Sequence, residues 1–339
     1  MTTMRAFMLT KYGGPEATEL RDVSLPEPGA KEVRVRVHAV GLNPVDFKTR
    51  EGKLKIIRRY PLPIVLGSEL AGTVEACGAG VTRFAVGDKV FARVDKDALG
   101  AFAEYACVHE DLVARAPTSV DLVHAAAVPL AALTALQALR DHLHVKPGSR
   151  VFIPGGAGGV GTFALQLARE LGAEVATTAS SRGEALVRRL GASVVIDYTK
   201  QRFEDELKDY DGVFDLVGAD TLERSFAVVK PGAKVVSIAG MPDPDTARVD
   251  MGRGGFLAAL FWLASFGLRR KAAKRGVTYR YYFMHPSGAD LEDLARRIDA
   301  GKLEVVVDRV FPFADIAAAF AYLEQGRAKG KVVVRMTDG

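Results

Sequence analysis

Ile153-Pro-Gly-Gly-Ala-Gly-Gly-Val-Gly161 is the stretch on which the reading of this 339-residue chain turns. A short apolar run, Arg150-Val-Phe-Ile153, leads into it, and Gly158 to Leu171 follows with the periodicity of a helix. Gly156, Gly158, Gly159 and Gly161 permit a tight turn and a close backbone approach to a pyrophosphate. The helix they open presents free N–H groups to that charge. The blander alternative is a glycine-rich loop that merely packs a helix on a sheet. The strand before, the helix after and the alternating elements beyond favour a dinucleotide turn instead.

Downstream, strands are expected at 174–178, 193–196, 212–217 and 233–239, with helices at 182–190, 203–207 and 222–229 between them. That βαβα order implies a doubly wound parallel sheet. The end of its second strand selects the cofactor. An NAD site places Asp or Glu about 20 residues past the glycines, against the ribose hydroxyls. Here the segment is Thr178-Ala-Ser-Ser-Arg182, with no acid before Glu184. Ser180, Ser181 and Arg182 suit a 2′-phosphate, so the expected cofactor is NADPH. The two serines serve equally as caps of the next helix, and the two roles are compatible.

Upstream, Val33, Val35 and Val37 alternate with Arg34, Arg36 and His38, a half-buried strand. Further short strands at 72–76, 89–93 and 102–108, punctuated by Gly and Pro, make a compact, partly barrel-like β unit. Residues 122–143 are rich in Ala and Leu and read as one or two helices. Past Gly255, helices at 290–298 and 314–324 precede strands at 303–307 and 331–335, a tail that either finishes the sheet or returns to the first domain.

The length calls for two domains. A net charge of +5 favours anionic ligands, but no nucleic-acid-binding motif accompanies it. Cys77 and Cys107 are the only cysteines, too few for a disulfide framework or a four-cysteine zinc site, and they fit a cytoplasmic protein. The first ten residues hold no apolar core of signal-peptide length. The longest apolar stretch, Gly255 to Leu268, has 14 residues, too short to span a bilayer, and runs into the basic cluster Arg269 to Arg275. It suits a pocket wall, a dimer contact or a touch on a membrane surface without stable insertion.

Three further stretches, Gly41-Leu-Asn-Pro-Val-Asp-Phe-Lys48, Gly67-Ser-Glu-Leu-Ala-Gly-Thr73 and Gly326-Arg-Ala-Lys-Gly-Lys-Val332, join the glycine turn in a resemblance that covers nearly the whole chain. They resemble the zinc-independent medium-chain dehydrogenase/reductases, in particular the quinone oxidoreductase and enone (alkenal) reductase branch. The resemblance implies an α/β protein with a GroES-like β-rich catalytic domain, residues 1–122 and 287–339, and a Rossmann NADP(H)-binding domain, residues 123–286. Zinc-dependent relatives carry Cys where this chain has Asn43, His where it has Ser68, and a further Cys near 128–135. Their four-cysteine lobe corresponds to 93–110, where only Cys107 occurs. A catalytic zinc needs about three protein ligands, so no metal is expected. His142-x-His144 is the one histidine pair at ligand spacing, and it reads as a solvated helix end.

Without zinc, alcohol oxidation loses its Lewis acid, whereas reduction of an activated C=C or a quinone does not need one. Hydride goes from NADPH to the β-carbon, charge builds on the carbonyl oxygen, and nearby donors lower the barrier. The resemblance puts Asn43 and Lys48 beside the nicotinamide and substrate, with an exposed helix cation as the plainer reading of Lys48. Tyr60 either lines the pocket, gives a proton or is simply packed, and Asp46 orients its neighbours or caps a loop. For the cofactor the resemblance points to Gly159 and Val160 at the pyrophosphate, to Ser180, Ser181 and Tyr198 near the ribose phosphate, and to Ile238, Phe283 and Met284 near the nicotinamide, with Lys331 as a further candidate. Branch members have a lysine at position 183; here that position is Gly, and Arg182 takes over the charge. The resemblance also suggests a homodimer acting on small enones, enals or quinones. Rival readings are a one-electron quinone reductase, a pathway enoyl reductase, and an NADPH-binding structural or regulatory protein with little turnover.

Overall fold

The computed structural model describes residues 2–336. In chain order, the elements begin with β1 (Thr3–Leu9), β2 (Thr18–Ser24), β3 (Glu32–Leu42), α1 (Pro44–Arg50), β4 (Ile64–Val65), β5 (Glu69–Cys77), β6 (Lys89–Arg93), β7 (Tyr105–His109), β8 (Val113–Arg115), α2 (Leu122–Ala125) and α3 (Pro129–Gln137). Then come β9 (Arg150–Pro154), α4 (Gly159–Glu170), β10 (Glu174–Ala179), α5 (Ser181–Arg189), β11 (Val194–Asp197), α6 (Phe203–Glu206), β12 (Tyr210–Asp215), α7 (Ala219–Ser225) and β13 (Val229–Ser237). The rest is α8 (Phe256–Ala264), α9 (Phe266–Ala273), β14 (Thr278–Tyr281), α10 (Gly288–Asp299), β15 (Val307–Pro312), α11 (Ile316–Glu324) and β16 (Lys331–Arg335). The chain divides into two units, Met1–Leu133 with Pro286–Gly339, and Thr134–His285.

The first unit is β-rich. A seven-stranded sheet runs β15-β16-β3-β5-β6-β8 with β7 also on β3, and a three-stranded sheet runs β2-β1-β4. β3 buries Val33, Val35 and Val37 while Arg36 faces out, as its alternation requires. The tail returns to this unit, because β16 pairs antiparallel with β3. β15 begins only at Val307, not across 303–307 as expected. Leu303 is instead buried at the turn after α10, and β15 is held in parallel register to β16. The 122–143 helix is broken at Pro129, which lacks the N–H a continuous helix would need and starts α3 instead.

The second unit is one parallel sheet of six strands, ordered β11-β10-β9-β12-β13-β14, with helices between successive strands. This is the doubly wound order in which the direction of winding reverses between β9 and β12, and ligands sit at the carboxyl ends beside that reversal. The glycine turn leaves β9, so it stands at that place. Phe152, Phe203, Tyr210 and Phe226 fill part of the core beneath it. α7 stops at Ser225, short of the expected 229, and buried Phe226 and Val228 lead directly into β13.

Candidate functional site

In the second unit the glycine turn is built as its sequence requires. Gly155 follows β9 with φ +80°, and its N–H donates to Thr178 Oγ1 at 3.0 Å. Gly156 N–H donates to Thr177 Oγ1 at 3.1 Å, and a Cβ on Gly156 would fall 2.3 Å from that oxygen. A Cβ on Gly161 would meet Gly155 O at 2.5 Å and Gly156 Cα at 2.7 Å, both backbone, so the turn closes only with glycine there. α4 starts with Gly158 as an N-cap that has no side chain to cap it. The first helical bond runs from Thr162 N to Gly158 O, which leaves the amides of Gly159, Val160 and Gly161 pointing out of the helix start. This cradle fits a pyrophosphate on backbone donors.

The end of β10 fits a 2′-phosphate. Ser180 stands at the N-cap of α5 but makes no side-chain cap bond, so the capping alternative does not consume its hydroxyl. Ser181 and Arg182 are exposed. One acid escaped the sequence reading: Asp197 is the Cα partner of Ala179 across β10 and β11. Its carboxylate is already engaged by Thr199 N–H, Thr199 Oγ1 and Lys200 Nζ, and these contacts hold its pKa below the usual range. Glu184 pairs with Arg188. Both acids thus already have partners, Asp197 through hydrogen bonds to Oδ1 and an ion pair of Oδ2 with Lys200 at 3.2 Å. Tyr198 follows Asp197 and is exposed.

Ile238 and Phe283 are placed by buried acids that the sequence did not single out. Asp215, at the end of β12, accepts from Ser237 Oγ at 2.6 Å and from the amides of Val217 and Gly218; Ser237 Oγ in turn accepts from Ala239 and Gly240 N–H. These bonds shape the loop that begins at Ile238. Arg280 bridges Asp243 at 3.0 Å and Asp250 at 2.5 Å, and Asp250 Oδ2 accepts the Phe283 N–H at 3.0 Å. Met284 follows in the same segment. An acid at the end of a predicted strand beside the winding reversal was a usable signal for Asp215. Nothing local marked Asp243 or Asp250.

In the first unit, Asn43 begins α1 and lies in a buried polar network. Its Nδ2 donates to Glu69 Oε1 at 2.7 Å, and Lys331 Nζ donates to Asn43 Oδ1, to Glu69 Oε1 at 2.7 Å and to Leu42 O at 3.1 Å. Leu130 N–H donates to Glu69 Oε2 at 2.6 Å. A Cβ on Gly41 would come within 2.2 Å of Glu69 Oε1, so that glycine makes room for the carboxylate. Beside it, Ser68 Oγ donates to Asp46 Oδ1 at 2.6 Å and Asn43 N–H to Asp46 Oδ2 at 2.9 Å. Complete burial pushes the Asp46 carboxyl up to about 6, with those hydrogen bonds opposing. Asn43 and Ser68, two of the positions compared above with zinc ligands, are thus tied into hydrogen bonds.

Three expectations are corrected here. Lys331 is buried with its three protons spent on Asn43, Glu69 and Leu42, so none is left for the cofactor. Tyr60 belongs to the β core; its hydroxyl donates to Lys96 O at 2.7 Å, and burial pushes its pKa up to about 12, both against proton donation. His142 is not a solvated helix end, because its ring packs at a tilt against Tyr282, centroids 4.3 Å apart, and burial pushes its pKa down to about 4. Lys48 is half-buried; that burial and then Lys53 lower its pKa while Glu51 opposes them, and its ammonium makes no hydrogen bond or ion pair among the described residues.

The comparisons agree with this architecture. Residues 29–118 match the family described as alcohol dehydrogenase GroES-like domain, and residues 190–334 the one described as zinc-binding dehydrogenase. The chain is 35% identical to the zebrafish NAD(P)H oxidoreductase RTN4IP1, mitochondrial, over 99% of itself and 92% of that protein. It is 36% identical to the Arabidopsis thaliana NADPH-dependent alkenal/one oxidoreductase, chloroplastic, over 98% of itself and 79% of that protein. The solved structure of the quinone oxidoreductase from Coxiella burnetii superposes with a TM-score of 0.85 at 31% identity, covering 99% of this chain and 100% of that one.

Proposed function

The chain belongs to the zinc-independent quinone oxidoreductase and enone reductase branch of the medium-chain dehydrogenase/reductases, and on that premise we propose that it is an enzyme reducing the C=C of α,β-unsaturated carbonyls, or quinones, with NADPH. One observation carries the cofactor choice. At the start of α5, two serine hydroxyls and an exposed guanidinium stand without an acid, and the nearby Asp197 and Glu184 are bound to other groups.

NADPH supplies the hydride when bound. The amides of Gly159, Val160 and Gly161 hold its pyrophosphate, and Ser180, Ser181 and Arg182 its 2′-phosphate, with Tyr198 alongside. Ile238, Phe283 and Met284 would flank the nicotinamide, with Ile238 and Phe283 held by the buried acids described above. Lys48 meets the oxygen on which charge develops. A poorly solvated ammonium that makes no direct ion pair gains most from an anion that forms only during the reaction. Asn43 acts through position, since its amide is engaged at both ends and it starts the helix from which Lys48 projects. Solvent supplies the final proton. We further assign the chain to the cytoplasm, on the strength of two unpaired cysteines, although relatives are named mitochondrial and chloroplastic.

The test is NADPH oxidation followed with a panel of enals, enones and quinones. Lys48→Met is expected to lower kcat/KM on the order of ten- to a hundredfold with NADPH affinity retained. Arg182→Ala is expected to weaken NADPH about tenfold or more and leave NADH unchanged. An unchanged NADPH preference would remove Arg182 from the site. Release of semiquinone, read by reduction of added cytochrome c, would assign a one-electron route. Tight NADPH binding with no turnover on any acceptor would overturn the enzyme reading in favour of a regulatory one.

A further inference from the structure

The helical segment after Gly255 is apolar on two sides. Ala258, Phe261, Ser265 and Ala272 are buried, at spacings of three, four and seven residues, and Leu268 packs on the core of the second unit in the same row. The outer side of such a helix is ordinarily polar. Here it exposes Phe256, Ala259, Trp262, Leu263 and Phe266, with Phe256 85% and Leu263 69% accessible. Of the eleven large hydrophobic residues exposed among the described residues, four lie in this short stretch, including every exposed Phe and Trp. Ser265 N–H donates to Phe261 O and Arg269 N–H to Ser265 O, so α8 and α9 continue one another.

Charge indicates what covers this face. Residues 251–289 contain no Asp or Glu and seven Lys or Arg. Arg270, Lys274 and Arg275 are exposed, and their side chains make no hydrogen bond or ion pair among the described residues. Arg269 lies 5.6 Å from the centre of the Trp262 ring, and Lys271 pairs with Glu223. A second copy seated through the same patch would set these cations against their own equivalents. An anionic bilayer surface matches both halves: aromatic and aliphatic side chains enter the headgroup–acyl boundary while the cations stay among the headgroups. We infer that α8–α9 is a membrane-docking face, resting Phe256, Trp262, Leu263 and Phe266 in the interface of an anionic bilayer and meeting its headgroups with Arg270, Lys274 and Arg275. No helix of the described residues is long and apolar enough to cross a membrane, so the contact is peripheral and reversible. Docking of this kind holds the protein where lipophilic acceptors partition, and it uses no residue of the dinucleotide turn.

Trp262 is the only tryptophan of the chain, so its fluorescence reports this face alone. The full chain is mixed with vesicles of phosphatidylcholine containing phosphatidylserine and, separately, of phosphatidylcholine alone. The expected result is a blue shift of Trp262 emission and co-sedimentation with the phosphatidylserine vesicles only, both reversed by raised salt. Phe256→Ser with Leu263→Ser, and Arg270→Glu with Lys274→Glu and Arg275→Glu, are each expected to lower partition on the order of tenfold or more. Far-UV circular dichroism and NADPH oxidation in solution stay unchanged in both. No shift and no co-sedimentation with either vesicle overturns the inference, as does equal binding to both compositions. Self-association that disappears in the Phe256→Ser, Leu263→Ser variant, without vesicle binding, assigns the face to a second copy instead.

Discussion

Glu69 and Lys331 lie 262 positions apart in sequence and 2.7 Å apart in the fold, with almost no water at either. A buried pair of this kind adds little net stability over apolar residues of the same shape, yet removing one member strands the other's charge. Lys331→Met and Glu69→Gln should therefore each cost about 3–5 kcal/mol in urea unfolding, and the double variant should recover a substantial part of the sum. Additive losses would show that the two residues act separately. The pair also shows where local reading stops. Gly41, Asn43, Glu69 and Lys331 all stand inside stretches that the sequence marks out. Their partnership is invisible there, because no periodicity links residues from opposite ends of the chain. Lys331 therefore reads as a cofactor ligand until its three acceptors are seen. Ser180, Ser181 and Arg182 are the opposite case: strand, turn and helix start are contiguous, so position along the chain already groups them at the start of α5.

Elements were read well where one period governed them and less well where a neighbour overruled it. β3 follows its alternation, but β15 starts four residues later than its β-branched run suggests, since its register is set by β16. The 122–143 segment is two helices and a wide turn, Ala138–His142, in which Leu143 N–H reaches Ala138 O. That turn places His142 on Tyr282, just after β14. The ring's folded pKa lies near 4, below the ordinary 6.5, so the unfolded chain binds the extra proton between those values. The neutral ring's contribution is complete above pH 6.5 and is lost as pH falls toward 4. His142→Phe keeps the ring contact and cannot take up a proton. Its stability should fall less than that of the wild type across this window, by about 1–2 kcal/mol after allowing for the ring's partial exposure. Parallel thermal melts of the two proteins test this, and identical pH slopes would mean the ring is solvated after all.

The molecule is assembled from both chain ends, with the parallel-sheet unit inserted between them. In that unit β14 is a sheet edge with one strand side unpaired among the described residues. An edge of this kind is a ready site for a second chain, and we retain the homodimer as our reading. Light scattering on the purified protein should give the mass of two chains; a single-chain mass would end that reading. Several features could be read from the order of residues alone: the two domains, the doubly wound sheet, the glycine turn and the choice of NADPH. Each rests on residues close in sequence, where local sterics and hydrogen bonding at a helix start leave few alternatives. The fates of Lys331, Tyr60 and His142, the acids that hold Ile238 and Phe283, and the outward apolar face of α8–α9 came only with the folded chain. Burial and partnership depend on which distant segments pack together, and packing alone decides whether a lysine finds three acceptors or a phenylalanine finds none.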